Sequence, residues 1–196
     1  RDGAPDYPAP TLARKHAELR VYQSRLAALD PAAWPKEQRI DYELVRAQMN
    51  GLDFDLRVLQ PWARDPAYYQ SVWTEMSDTP EHEGPAHHGL VELWTYAFPL
   101  SRSDAQKLAR ELRVVPPLLA QARGNLTGNA RDLWLTGIGT MKGQVVSLDD
   151  LAGRTRSSGA DLRRSIADAR KATVEFVAGL QAQGLHPLWA TALIYL

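Results

Sequence analysis

The chain contains no cysteine, and neither sign of charge is in excess: Lys plus Arg and Asp plus Glu each total 23 in 196 residues. The first absence rules out disulfides, thiolate metal sites and cysteine nucleophiles. The second removes the overall field that would draw the protein to nucleic acid or to an anionic membrane, so neither is expected as a partner. No run approaches the ~18 consecutive apolar residues of a membrane span. There is no Gly-x-Ser-x-Gly elbow and no ordered Ser/His/Asp set. Residues Gly137 to Gly143 include three glycines but lack the Gly-Lys-Ser/Thr ending of a phosphate loop, so this segment is expected to be a turn. The Pro-rich opening, residues 1–10, reads as a flexible start.

A local absence is more informative. From Asp65 to Ser101 there is no Lys or Arg, although the stretch carries Asp65, Glu75, Asp78, Glu81, Glu83 and Glu92. It also holds Tyr68, Tyr69, Trp73, Trp94, Tyr96, Phe98 and three of the five histidines, His82, His87 and His88. Carboxylates, imidazoles and aromatic rings suit a cation-binding cleft or a metal site. Tyr68, Tyr69, His82, Glu83 and His87 are the candidate ligand-binding residues.

His82-Glu83 begins like the zinc-protease signature HExxH but does not complete it. That signature needs histidines four apart, which places both imidazoles on one helical face beside one metal. Here the next histidines are five and six residues on, and five residues turn a side chain roughly 140° from the first. Pro85, beside Gly84, would also break a helix interior, so the run reads as a loop ending at a helix start. The following segment, Ala86 to Ala97, is expected to be helical, with His88 and Glu92 four apart on one face. His82, His88 and Glu92, with His87 nearby, are therefore the candidate ligands of a loop-built metal site. The competing reading is a solvated acidic loop.

Apolar spacing predicts an all-α fold, an irregular bundle of about five to six helices within a single helical domain over 11–196. Helices are expected at Thr11 to Leu29, with Leu12, Leu19, Tyr22, Leu26 and Leu29 inward, and at Lys36 to about Leu59. In the second, Ile40, Leu44, Met49, Leu52, Leu56 and Leu59 would form the buried stripe. Ser101 to Asp104 offers N-caps for a helix that Pro116-Pro117 should kink or split. A short helix is expected near Ala130 to Leu135, and a last long one from Asp161 to Gln183. Six basic residues between Arg154 and Lys171 read as the solvated face of a helix. Asn125-Leu126-Thr127 is a sequon whose use depends on a glycosylating pathway.

Several segments resemble the bacterial family catalogued as domain of unknown function 885. They are Ile40-Asp41-Tyr42-Glu43-Leu44, Trp62-Ala63-Arg64-Asp65-Pro66-Ala67-Tyr68-Tyr69 and His82-Glu83-Gly84-Pro85. Ala122-Arg123-Gly124-Asn125-Leu126 and Asn129-Ala130-Arg131-Asp132-Leu133-Trp134 complete the set. The resemblance implies a helical, metallopeptidase-like protein, often exported, whose zinc motif lies in a C-terminal half that this sequence does not contain. This chain would then be the N-terminal helical part of a larger protein, flanking or covering a catalytic cleft. It would carry no cofactor or catalytic residue of its own, zinc would belong to the other half, and a peptide or small molecule would be the full protein's substrate. The alternative is a self-sufficient binding module that uses the 65–101 face for a cation, a basic peptide or a protein partner.

Overall fold

The computed structural model describes residues 5–76, 91–128 and 130–184, and among these the fold is an all-α bundle. The described residues pack as two compact units, 6–61 and those from Trp62 onward together with Pro5.

The smaller unit is a helical hairpin of α1 (Ala9–Ala27) and α2 (Lys36–Phe54). Each helix starts next to a proline, Pro8 and Pro35, whose fixed φ suits the entry to a helix. α2 runs on into a π-helical turn, Asp55–Leu59, which ends at Gln60 in the left-handed region (φ 46°). There Gln60 N–H donates to the Asp55 carbonyl at 2.8 Å, closing the last orphan turn.

Apolar contact in the hairpin is thin. Leu12 and Leu19 of α1 are buried, but no residue of α2 is. The stripe expected on α2 is split. Met49 and Leu56 are half-buried, whereas Ile40, Leu44, Leu52 and Leu59 are exposed. The reason is angular: one neighbouring helix covers a narrow arc, and α2 carries apolar residues around more than that arc. A polar cluster adds to the joint. His16 Nε2 lies 2.8 Å from Asp53 Oδ1, and Arg57 Nε donates to Asp53 Oδ2 at 3.1 Å. The side chains of His16 and Asp53 are 27% and 21% exposed.

A short helix, α3 (Pro61–Arg64), leads into the larger unit and is followed by a 3-10 turn at Pro66–Tyr69 capped by Asp65, whose carboxylate accepts the Ala67 N–H at 2.8 Å. Two-residue strands β1 (Val72–Trp73) and β2 (Val91–Glu92) pair in parallel, Val72 opposite Val91. A second 3-10 turn, Leu93–Thr95, follows where the sequence predicts helix, because Val91 and Leu93 are drawn inward from an extended backbone. Then come α4 (Arg102–Leu112), α5 (Val115–Asn125), α6 (Arg131–Arg154) and α7 (Ala160–Gly184). Ser101 caps α4, its hydroxyl accepting the Asp104 N–H at 3.0 Å. Pro116 and Pro117 fall in the first turn of α5, where a missing N–H costs nothing, so the expected split lies just before them.

α6 and α7 are the longest helices and pack on each other; α4 and α5 lie against α7, and the 3-10 turn at Pro66–Tyr69 lies against α6. Leu108, Leu112, Leu119, Met141, Leu148, Leu151, Leu162, Ile166 and Phe176 fill the core. Arg154, Arg156, Arg163, Arg164, Arg170 and Lys171 are all exposed, the solvated face expected of them. The glycine segment 137–143 is not a turn but the middle of α6. Gly137 is there for proximity: a Cβ would meet the Ala67 backbone N and the Pro66 side chain at 2.8 Å. The helix interior tolerates the glycine because the 3-10 turn packs directly on it.

Hydrogen bonds from His16 and Arg57 hold the Asp53 carboxyl below the usual carboxylate range. A depressed folded-state value contributes stability above the unfolded value near 3.8 that is lost as pH falls through the folded one. Acid titration followed by helical circular dichroism is expected to show the hairpin weakening below about pH 4. Asp53→Asn should be less stable at neutral pH and should lose this acid-dependent component.

Candidate functional site

The stretch from Asp65 to Ser101 enters the larger unit as two anchored arms. Asp78, Glu81, His82, Glu83, His87 and His88 lie outside the described residues. The arms themselves are built from the remaining aromatic and acidic residues.

The first arm is fixed by Tyr69, which is fully buried. Its hydroxyl donates to the Trp62 carbonyl at 2.7 Å and accepts from Asn125 Nδ2 at 3.1 Å. Its ring stands edge-on to Tyr68 at 5.2 Å and to Phe176 of α7 at 6.4 Å. Tyr68 is buried as well. Beside them, the Ala63 carbonyl accepts from Gly128 N–H at 2.7 Å and from Thr127 N–H at 3.1 Å. A Cβ on Gly128 would lie 2.8 Å from that same oxygen, so glycine permits the approach. Burial raises the Asp65 carboxyl above its ordinary range, and the Ala67 N–H offsets part of this.

Just past the first arm the chain is pinned by Gln144 of α6. This amide is 1% exposed, and its Oε1 accepts from Ser71 N–H at 2.7 Å, Val72 N–H at 3.0 Å and the Ser71 hydroxyl at 3.3 Å. Its Nε2 donates to Thr173 Oγ1 of α7 at 3.1 Å, and Thr173 in turn donates to the Ala169 carbonyl. One side chain thus satisfies two buried backbone donors that a two-residue strand leaves unpaired.

The second arm recruits cations from other helices. Tyr96 donates to Glu111 Oε2 at 2.6 Å, and Lys107 Nζ reaches Glu111 Oε1 at 3.6 Å while lying 5.0 Å from the Tyr96 ring centroid. Burial, then Glu111, push the Tyr96 phenol well above its ordinary range, so it stays a neutral donor. Arg154 of α6 sits 3.6 Å from the Phe98 ring centroid. The segment without a basic residue is therefore not without basic neighbours.

Of the sequence candidates, Tyr68 and Tyr69 come together in the core, whereas Glu92 is half-buried on β2 opposite Trp73. On the surface of the arms stand Glu75, Met76 (73% exposed) and Trp94 (36% exposed). No group of three or more His, Asp or Glu close enough to hold a metal occurs among the described residues. Gln144 gave no signal in sequence, since a lone Gln in a helix carries no motif. A separate apolar groove of about 280 Å³ lies in the hairpin, lined by residues that include Leu26, Leu29, Trp34, Tyr42 and Val45 with Asp41 at its edge.

No protein-family model matches the chain, and no curated protein matches it in sequence. Among solved structures it is similar to a protein of unknown function from Shewanella oneidensis, classed provisionally as a lipoprotein. The likeness has a TM-score of 0.69 at 19% identity and covers 93% of this chain and 32% of that one. The chain spans about a third of that protein's length, and the likeness is one of fold. No helix among the described residues is long and apolar enough to cross a membrane.

The Gln144 network is expected to be costly to break. Gln144→Leu strands two buried N–H groups at about 1–3 kcal/mol each, so chemical denaturation should show a loss of about 2–4 kcal/mol with the helical content retained. A loss under about 0.5 kcal/mol, the level of a neutral surface change, would show that the network carries no weight.

Proposed function

We propose that this chain is the N-terminal helical part of a larger, exported, metallopeptidase-like hydrolase, acting as the scaffold that flanks or covers a catalytic cleft. The zinc ligands and the peptide or small-molecule chemistry then belong to a following half. The observation that carries this reading is where the family-like segments lie. Tyr69, whose hydroxyl donates to Trp62 within one segment, accepts from Asn125 of another, and the Ala63 carbonyl accepts from Thr127 and Gly128 beyond it. Segments that resemble a metallopeptidase-like family hold helices together here, which is a scaffold's use of them. The fold likeness to a chain about three times as long supports the same reading, as does that protein's provisional class for the exported location.

The test compares this chain with the product of the longer reading frame that the proposal requires. Purified without chelator, the 196-residue protein is expected to contain no stoichiometric zinc, to melt at the same temperature with and without chelator, and to cleave no peptide. The longer product should hold about one zinc per chain and hydrolyse peptides. Stoichiometric zinc in the short chain, lost in His88→Ala, would overturn the proposal and place a metal site here.

A further inference from the structure

The turn between α1 and α2 builds a corner of two aromatic rings. Ala32 N–H donates to Asp30 Oδ1 at 3.0 Å and Trp34 N–H to the Pro31 carbonyl at 3.1 Å, which fixes the backbone that carries the indole. The Trp34 and Tyr42 rings then stand at 90° with centroids 5.9 Å apart. Both residues are half-buried, so part of each stays open to water. Rings at right angles leave a corner walled by π faces, the negative side of the ring quadrupole. Both line the apolar groove of about 280 Å³ in the hairpin, whose other walls include Leu26, Leu29 and Val45.

One charged side chain lines the groove, and it is acidic: Asp41. Among the described residues its carboxylate has neither an ion pair nor a hydrogen bond. The nearby bases are turned away or occupied. At about 100° per residue, Lys36 and Arg39 point roughly 110° or more from the side of α2 that carries Asp41, Tyr42 and Val45. Arg46 is paired with Glu43 at 2.6 Å, and Arg25 lies over the Tyr22 ring, 5.8 Å from its centroid. The C-terminal pole of α1 and the N-terminal pole of α2 meet at this end of the hairpin and offset one another. The carboxylate therefore sets the sign.

We propose that the groove binds a small organic cation with an apolar body. Its ammonium head sits against Trp34, Tyr42 and Asp41, and its chain lies along Leu26, Leu29 and Val45. Two π faces and a carboxylate favour an ammonium over a neutral or anionic head of the same size. The volume is just below the roughly 300–1,000 Å³ of drug-sized sites, which suits a ligand of about six carbons. Every residue involved lies in the hairpin, so the binding does not depend on a following catalytic half.

Ligand-observed NMR titration of the full chain with hexylammonium, 1-hexanol and hexanoate compares three charges on one apolar chain. Hexylammonium is expected to bind at least about threefold more tightly than hexanol, and hexanoate most weakly. Asp41→Asn should weaken hexylammonium by about threefold or more and leave hexanol unchanged. Asp41 is exposed, so this variant should melt like the parent and a loss of binding cannot reflect unfolding. Trp34→Leu keeps an apolar wall but removes a π face, and should weaken hexylammonium more than hexanol. Equal affinity for the cation and the alcohol, hexylammonium binding unchanged in both variants, or no binding up to about 20 mM would each overturn the cation site.

Discussion

The larger unit depends on one buried amide. Gln144 holds the backbone of Ser71 and Val72 with its oxygen and Thr173 with its nitrogen, joining α6, α7 and the start of β1 at a single point. A two-residue strand cannot satisfy its own backbone, and two long helices packed face to face provide no spare donors or acceptors. An apolar residue at position 144 would fill the space and leave those groups stranded. Because the amide oxygen accepts both N–H groups, the chain direction at residues 71–72 is fixed.

The same economy explains the aromatic residues. A stretch rich in Tyr, Trp and carboxylates suggests a binding face, yet the rings at 68, 69 and 96 serve as packing with a polar handle. Tyr69 bridges α3 to α5 through its hydroxyl, and Tyr96 bridges its 3-10 turn to α4 through Glu111. The stretch has no Lys or Arg of its own, yet in three dimensions Lys107 lies over its Tyr96 ring and Arg154 over its Phe98 ring.

Local rules were legible in the sequence where local physics decides the outcome. Ser101 as a cap and Pro116-Pro117 as the break between two helices read directly from residue type. The failures have long-range causes. Glycines at 137, 139 and 143 suggest a turn, but the spacing of Trp134, Met141, Gln144, Leu148 and Leu151 carries the helix through them, and Gly137 is needed for a neighbour far earlier in the chain. The apolar residues of α2 suggest a buried stripe, but only a helix on each side could cover them all. Gln144 reaches Ser71, Val72 and Thr173, and Arg154 reaches Phe98, contacts remote in sequence that no spacing within their own helix announces.

Asn125 carries a consequence for how the protein can be made. It is the acceptor residue of the Asn-Leu-Thr sequon, yet its amide nitrogen is the atom that donates to the Tyr69 hydroxyl, within a half-buried setting at the end of α5. A glycan would replace one of the two N–H hydrogens of that amide and bring a sugar into the half-buried space beside Tyr69. Material passed through a eukaryotic secretory host would be modified on the nascent chain, so each glycosylated molecule would have to accommodate a sugar at that joint. Bacterial expression avoids the conflict, and in a secretory host Thr127→Ala would remove the sequon without touching the amide.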